Sequence, residues 1–546
     1  MHFLVIRKLL THKFVFVFAI ILLINFPVPA QQYKEFHQEI TDAMLKATKY
    51  FDERVSVNGG YVWYYLPDLS RRWGEMEAYS SMVWVQGQGT VAMGNTFLSL
   101  FEATKNEYYY NLAEKSAYAL IKGQLACGGW NYFIDFAGEE SILNWYNTIG
   151  KNGWRLEEFQ HYYGNATFDD AATPGAAIFL LRIYLARQNP KIKTALDRAI
   201  NFILESQYSN GAWPQRFPFK DEFNKNGNPD YTMYYTFNDN VIWNNIKFLV
   251  LCYSTLYNNK FLDPIKRGMD FYLRSQLQNP QAGWSQQYSL DLKPASARTY
   301  EPTALDPQYT ARHIEILIKF FEMTCDEKYL ERIPDAIDWL ESVKISSSNG
   351  IYLVPKLTEL GTNKAMYIHR IGTNVNCGKY YYDYDSKNNL LHYQSIRSIN
   401  MKMIVEKLKR IESMHEAACM TDTLIIPGLD NSKSSLKIFE AVDDYLSFPN
   451  ENWNRREPNS ELVETVLSRL DEEGRWLTTR AFISNPYIGE PECGDPNSKL
   501  YSHTWVGDQY DTSPYEDTSD QKYISTNTYM RNVKILMEFL DQSKTK

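Results

Sequence analysis

Two short stretches, Thr167-Phe168-Asp169-Asp170 and Thr236-Phe237-Asn238-Asp239-Asn240, each place consecutive oxygen donors just ahead of an apolar, helix-like segment. One such residue is an ordinary helix cap, because its oxygen satisfies free N–H groups and faces the positive end of the helix dipole. A second oxygen exceeds what a cap needs. Oxygen ligands from two loops suit a hard cation such as Ca2+, although the spacing is not that of an EF-hand. Further along, Gly283-Trp284-Ser285-Gln286-Gln287-Tyr288 precedes Arg298-Thr299-Tyr300-Glu301. Aromatic rings offer an apolar face on which sugar C–H groups stack, and arginine binds carboxylates through two parallel hydrogen bonds. Together the stretches suit a site for acidic sugars, with surface pairing of Arg298 and Glu301 as the plain alternative.

These residues must be held by helices. Segments 81–103, 108–125, 171–188, 191–207, 239–258, 260–276, 306–323 and 327–343 carry apolar residues at three-to-four spacing, and short links between them predict antiparallel hairpins. A phrase recurs where hairpins end: Gln124…Gly128-Gly129-Trp130, Gln207…Gly211-Ala212-Trp213 and Gln276…Gly283-Trp284, with a weaker echo at Asn349-Gly350-Ile351-Tyr352. Repetition at hairpin length marks an internal repeat. Hairpins curled into a ring predict a mainly α chain with an α/α toroid, an incomplete barrel whose loops at one end surround a cleft. Trp130 reads as a plug between hairpins; for Trp213 and Trp284, plug and sugar platform are equally open. Residues 350–355, 365–371 and 379–385 predict a small β excursion. Helical pattern resumes at 394–415, 436–447, 460–472 and 526–542, and 485–519 reads as a long loop. The last helix is expected to pack back on the bundle. The division expected is a leader over 1–30, a toroid over 31–395 and a mainly helical extension over 396–546.

A chain of 546 residues has ample core, and its 40 Tyr and 13 Trp are many for its size. A formal net charge of -8 argues against nucleic-acid binding, which calls for a basic surface. A local basic cleft or a bound cation could still attract a polyanion. Arg7, Lys8 and Lys13 lead into the apolar run 14–26, and Val28-Pro29-Ala30 supplies small residues, the pattern of a cleaved secretory signal. The mature protein is therefore expected in the periplasm or outside the cell, with no membrane anchor once the signal is removed. The six cysteines show no paired or metal-ligand spacing and are expected to be mostly buried free thiols.

The ordered set Asn210-Gly211-Ala212-Trp213-Pro214-Gln215-Arg216-Phe217-Pro218, Thr236 to Asn240 and Leu292-Lys293-Pro294-Ala295-Ser296-Ala297-Arg298-Thr299-Tyr300-Glu301 resembles the pectate lyases of polysaccharide lyase family ten. Thr167 to Thr173 and Ile371-Gly372-Thr373-Asn374 resemble two further motifs of that family, so the likeness spans about residues 80 to 395. The resemblance implies an exported polysaccharide lyase acting on a uronate polymer, pectate first, by Ca2+-assisted β-elimination. It assigns Arg298 as the base, Asp169 and Asp239 as cation ligands, and Arg216, Lys293, Trp213, Trp284 and Tyr300 as substrate contacts. The chain departs from the family pattern at Gln287-Tyr288, Tyr367, Val375 and Asp170, which implies a different uronate polymer or reduced activity. An inverting hydrolase using two aspartates and a glycan-binding protein without activity are the competing readings. The glutamine–glycine–tryptophan phrase also resembles terpene cyclases, whose aspartate motifs are missing here.

Overall fold

Capping side chains in very short turns convert the apolar segments into antiparallel helix pairs. The computed structural model describes residues 30–150, 157–220, 230–371, 379–387, 396–412, 423–448, 458–484, 514–516 and 520–544. Within them run helix α1 (Ala30–Tyr50), strand β1 (Met82–Trp84), α2 (Thr90–Thr104), α3 (Glu107–Gly123), β2 (Phe133–Asp135), α4 (Glu139–Thr148), β3 (Ala166–Thr167), α5 (Ala172–Arg187), α6 (Pro190–Glu205) and β4 (Arg216–Phe217). Next come β5 (Tyr235–Thr236), α7 (Val241–Leu256), α8 (Leu262–Ser275), β6 (Gln287–Tyr288), α9 (Pro307–Thr324) and α10 (Ile333–Val343). The first helix of each pair stops on a left-handed residue, Lys105, Gln188, Tyr257 or Cys325. The side chain of Asn106, Asn189, Asn258 or Asp326 then accepts a backbone N–H at the start of the second. Each turn thus meets the free N–H groups of the new helix.

Helices α2, α5 and α7 pack side by side, and α3, α6, α8 and α10 each pack on their own first helix. This two-layered array is an incomplete α/α toroid. The strand entering a first helix pairs with the strand leaving the second. Trp84 faces Phe133, Thr167 faces Arg216, Thr236 faces Gln287 and Leu305 faces Thr358, so the four pairs are structural repeats.

The recurring phrase is scaffold. Trp130, Trp213 and Trp284 have no exposed surface. Their indole N–H groups donate to the carbonyls of Leu120, Ile203 and Tyr272 near the end of the preceding helix. Gln124, Gln207 and Gln276 each donate to a carbonyl of their own turn and to one in the following hairpin, at Ala195, Pro264 and Arg332. The sugar-platform role for Trp213 and Trp284 is thereby overturned, since a ring wedged between hairpins has no face for a ligand.

Downstream, β7 (Ile351–Pro355) lies between Ser346–Ser348 and β11 (Ile396–Asn400), while β8 (Leu357–Thr358), β9 (Ala365–Ile371) and β10 (Lys379–Asp383) form a second antiparallel sheet. Helices α11 (Met401–Glu412), α12 (Ser435–Leu446), α13 (Ser460–Ser468) and α14 (Thr526–Lys544) are the remaining α-helices among the described residues. The chain divides into two compact units, and the boundary expected at residue 395 falls inside the larger. That unit holds α2 to α12 and all the sheets. In the smaller, Phe36 of α1 meets Phe539 of α14 edge to face at 5.8 Å, and the Lys46 ammonium donates to the Asp471 carbonyl beyond α13.

Four expectations need correction. The helix expected from 81 begins at Thr90, because Met82–Trp84 is drawn into pairing with β2. The helix expected from 394 begins at Met401, because 396–400 pairs with β7. Helix α4 had no predicted counterpart. Cys127 and Cys252 are free thiols, but Cys325 is disulfide-bonded. The leader over 1–30 and the loop over 485–519 lie wholly or mostly outside the described residues; among those described, no helix is long and apolar enough to cross a membrane.

Candidate active site

The loops that enter α5 and α7 have the same shape. Asp170 and Ala171 are both left-handed (φ 46° and 57°), as are Asp239 and Asn240 (φ 50° and 57°). Non-glycine residues held so cost about 1–3 kcal/mol each. The repeat therefore equates Asp169 with Asn238 and Asp170 with Asp239, an equivalence not drawn from the sequence. The two strained turns pack on each other and bring four oxygen-bearing side chains together.

Arg298 lies at the centre, almost fully buried. Its Nε reaches Glu158 Oε2 at 3.0 Å, Nη1 reaches Glu301 Oε1 at 3.0 Å and Nη2 reaches Asp169 Oδ2 at 2.9 Å. Each guanidinium nitrogen thus faces a different buried carboxylate. Burial alone would lower the Arg298 pKa, but Glu158, Glu301 and Asp169 together raise it well above the usual arginine value. These partners hold the proton on Arg298, which opposes the base role that the family resemblance implies.

Asp169 also accepts a 2.7 Å hydrogen bond from the Tyr132 hydroxyl. Burial pushes its pKa up, and Arg298 with its hydrogen-bonding partners more than offsets this, so the carboxyl stays below the ordinary range. Its Oδ1 is buried without a donor, and the Asp239 carboxyl lies within hydrogen-bonding reach. Asp170 and Asp239 go the other way. Desolvation first, then repulsion from Asp169 and other neighbouring carboxylates, raises both well above the carboxylate range. Asp170 nevertheless reaches solvent and Asp239 is half-buried, as groups on a cleft floor would be. Glu158 is likewise raised, by burial and by Asp169 against the pull of Arg298. Gln86 ties Asp170 to Glu75, and Asn238 ties Tyr309 to Glu301.

The remaining sequence candidates separate. Arg216 is buried between the rings of Tyr132 and Tyr163, at 5.1 and 4.6 Å, with its Nε and Nη2 lacking any hydrogen-bond partner. Its charge is thus held next to Asp169 with donors to spare. Lys293 is instead 78% exposed and paired with Asp291 at 2.6 Å, so the structure does not bring it into the cluster. Tyr300 lines a cavity of about 340 Å³ together with Arg298, Glu301 and Tyr380 to Tyr382. Gly372 to Asn374 lie outside the described residues.

Sequence reasoning missed Glu158 and Tyr132 and gave Glu301 only a surface role. Tyr132 had a signal, because it stands two residues after its repeat tryptophan, as do Gln215 and Gln286. All three carbonyls accept from the strand residue or its neighbour entering a first helix. Glu158 had none, since it sits in a short 3₁₀ turn outside the apolar-periodic segments.

A cluster of this composition concentrates buried positive charge at Arg298 and Arg216 beside the carboxyl groups of Glu158, Asp169 and Glu301. Residues 146–355 match the family model described as pectic acid lyase. No curated protein matches the chain. A solved structure of a mutant Family 10 polysaccharide lyase from Cellvibrio cellulosa in complex with trigalaturonic acid is 18% identical, with 59% of this chain and 98% of that chain covered and a TM-score of 0.39. A cellobiose 2-epimerase from Bacillus thermoamylovorans is 12% identical, with 93% and 100% covered and a TM-score of 0.39.

Proposed function

We propose that this pectate lyase-like enzyme, whose residues 146–355 match the pectic acid lyase family model, cleaves a uronate-containing polymer outside the cytoplasm by Ca2+-assisted β-elimination. The observation that carries the reading is the buried cluster of Arg298 with Glu158, Asp169 and Glu301, joined through Asp169 to Asp239. In β-elimination the C5 proton leaves from beside a carboxylate, the C4–O bond breaks and a C4–C5 double bond forms. Charge builds on the uronate carboxylate, so fixed positive charge beside it lowers the barrier.

The residues present fit a divalent cation. Asp169 Oδ1 is buried and unpartnered, Asp239 faces it, and Asp170 adds a solvent-reaching carboxylate. Among the described residues no three acidic, histidine or cysteine side chains converge as a ready-made metal site, so water and substrate oxygens would complete the shell. When bound, Ca2+ would supply charge to polarise the uronate carboxylate. Arg216, buried with two unpartnered nitrogens, adds fixed positive charge near Asp169.

Arg298 as base needs its proton drawn off against three carboxylates, and neutralisation of Asp169 and Asp239 removes part of that opposition. The three ion pairs favour a second reading: Arg298 stays a cation that stabilises the transition state, and Glu158, with its raised pKa, takes the proton. The pH profile separates them. An arginine base gives a rate that keeps climbing in alkali, whereas a carboxylate base gives a rate that levels off once that carboxylate is ionised, and Glu158→Gln abolishes it. The lyase reading itself is tested by the ultraviolet absorbance of an unsaturated product on uronate polymers with and without EDTA. Reducing ends without that absorbance would mark a hydrolase instead.

A further inference from the structure

The repeat that equates Asp169 with Asn238 and Asp170 with Asp239 has an earlier member. The N–H groups of Val85, Phe168 and Phe237 donate to the carbonyls of Tyr132, Gln215 and Gln286, each two residues past a repeat tryptophan. The residues that follow are therefore equivalent: Gln86 with Asp169 and Asn238, and Gly87 with Asp170 and Asp239. Gly87 is left-handed as well, at φ 58°. Glycine takes that conformation without the cost a side chain meets, so the first turn keeps the shape but lacks the carboxyl of the other two.

A carboxyl reaches the first turn from elsewhere in the chain. Gln86 is 3% exposed, and its Nε2 donates to Asp170 Oδ2 at 3.0 Å and to Glu75 Oε2 at 2.7 Å. Glu75 is the middle residue of the three-residue loop between strands Arg72–Trp73 and Glu77–Ala78. Gly74 lets that loop lie against the toroid, because an added Cβ would stand 2.0 Å from the Trp84 ring. The sheet behind the loop runs Leu477–Thr478, Tyr523–Ser525, Tyr64–Tyr65, Arg72–Trp73 and Glu77–Ala78, so two of its strands come from the C-terminal region. Trp63 ties this sheet to the turn. Thr526 donates its backbone N–H and its hydroxyl to the Trp63 carbonyl, both at 3.1 Å, and the Trp63 indole donates to the Gln86 carbonyl at 3.2 Å.

One neutral amide joins the two carboxyl groups without cancelling charge, and Glu75 is close enough to oppose ionisation of Asp170. Gln86 Oε1 and Asp169 Oδ1, at equivalent positions, are both buried without a hydrogen-bond partner. A divalent cation held by Asp170 relieves the repulsion, since the affinity of an oxygen site grows with its negative charge and rigidity. Groups that hydrogen-bond to metal ligands commonly change affinity by about 10–100-fold.

We propose that Gln86 and Glu75 are positioning residues of the cation site: Gln86 orients the Asp170 carboxylate and Glu75 adds negative charge beside it. Residues ahead of the family-matched segment, mounted on a sheet that the C-terminal strands complete, thus set the affinity for the divalent cation. This rests on the calcium reading of the site and names further residues for it. The test is calorimetric titration of Ca2+ into the full chain. Glu75→Gln, which removes the charge and keeps the size, is expected to raise the Kd about tenfold, and Gln86→Met, which removes the amide, at least as much. Glu75→Asp keeps the charge and should recover most of the affinity. A melting temperature of Glu75→Gln in EDTA no lower than that of the wild type, together with its raised Kd, supports positioning over folding. Should Gln86→Met not fold, the two Glu75 variants decide. Wild-type calcium binding that Glu75→Gln leaves unchanged or tightens overturns the proposal alone, and so does an equal loss in Glu75→Asp and Glu75→Gln. No calcium binding by the wild-type chain removes the calcium reading and this proposal together.

Discussion

Arg298 carries one positive charge among carboxylates that outnumber it, and its two duties pull against each other. As a structural ion it neutralises Glu158, Asp169 and Glu301, which would otherwise be buried uncompensated. As the reacting group of the proposed lyase it would also have to face a substrate. Arg298→Ala is expected to lower kcat by about 10²–10³-fold and to cost about 3–5 kcal/mol of stability, the usual result of stripping a buried charge of its partner. Denaturant titration beside steady-state rates reads both effects. Arg298→Lys keeps the charge but not the three-way fork, so stability should recover further than activity. Retention of wild-type stability by Arg298→Ala would contradict the buried network.

The unit that organises the fold is the turn that closes each hairpin. Gly211 has φ +98°, and an added Cβ would lie 2.0 Å from the Arg267 carbonyl in the next hairpin. Gly361, at φ +81°, has nothing within 4 Å of that position. Both glycines relieve left-handed strain, which costs a side chain about 1–2 kcal/mol, but only Gly211 also lets two hairpins approach. Gly361→Ala should therefore lose about 1–2 kcal/mol, and Gly211→Ala clearly more, by urea unfolding. Equal losses would mean that the close approach is unimportant.

Across the whole molecule, the acidic cluster couples stability to pH and to calcium. Glu158, Asp170 and Asp239 have folded pKa values raised above the ordinary carboxylate range. Each contributes stability that is complete below its unfolded pKa and is lost as pH rises through its folded pKa. Asp169 is lowered, so its contribution exists above its unfolded pKa and is lost as pH falls through its folded pKa. With three raised against one lowered, melting temperature in EDTA should fall as pH rises from about 5 to 8. Saturating Ca2+ should restore it increasingly over the same range, by about 2.7 kcal/mol at a hundred times its Kd. A calcium effect independent of pH, measured by calorimetry, would place the ion away from these carboxylates.

The sequence by itself determined the helix pairs, because apolar periodicity and capping asparagines are local properties. It also determined the repeat, because three successive hairpins carry the same glycine and tryptophan where each meets its neighbour. Asp169, Asp239 and Arg298 were legible as candidates, the aspartates as oxygen donors beyond the needs of a cap and the arginine through its place in an ordered set of family-like motifs. Only the tertiary structure decided what surrounds them. Glu158 is 140 residues from Arg298 and Asp169 is 129 away, so their ion pairs exist only once the loops converge. Burial likewise moved Trp213 and Trp284 from cleft to scaffold and gave Tyr380 and Tyr382 a wall to form. Which side of a ring meets solvent is set by long-range packing, and no local pattern encodes it.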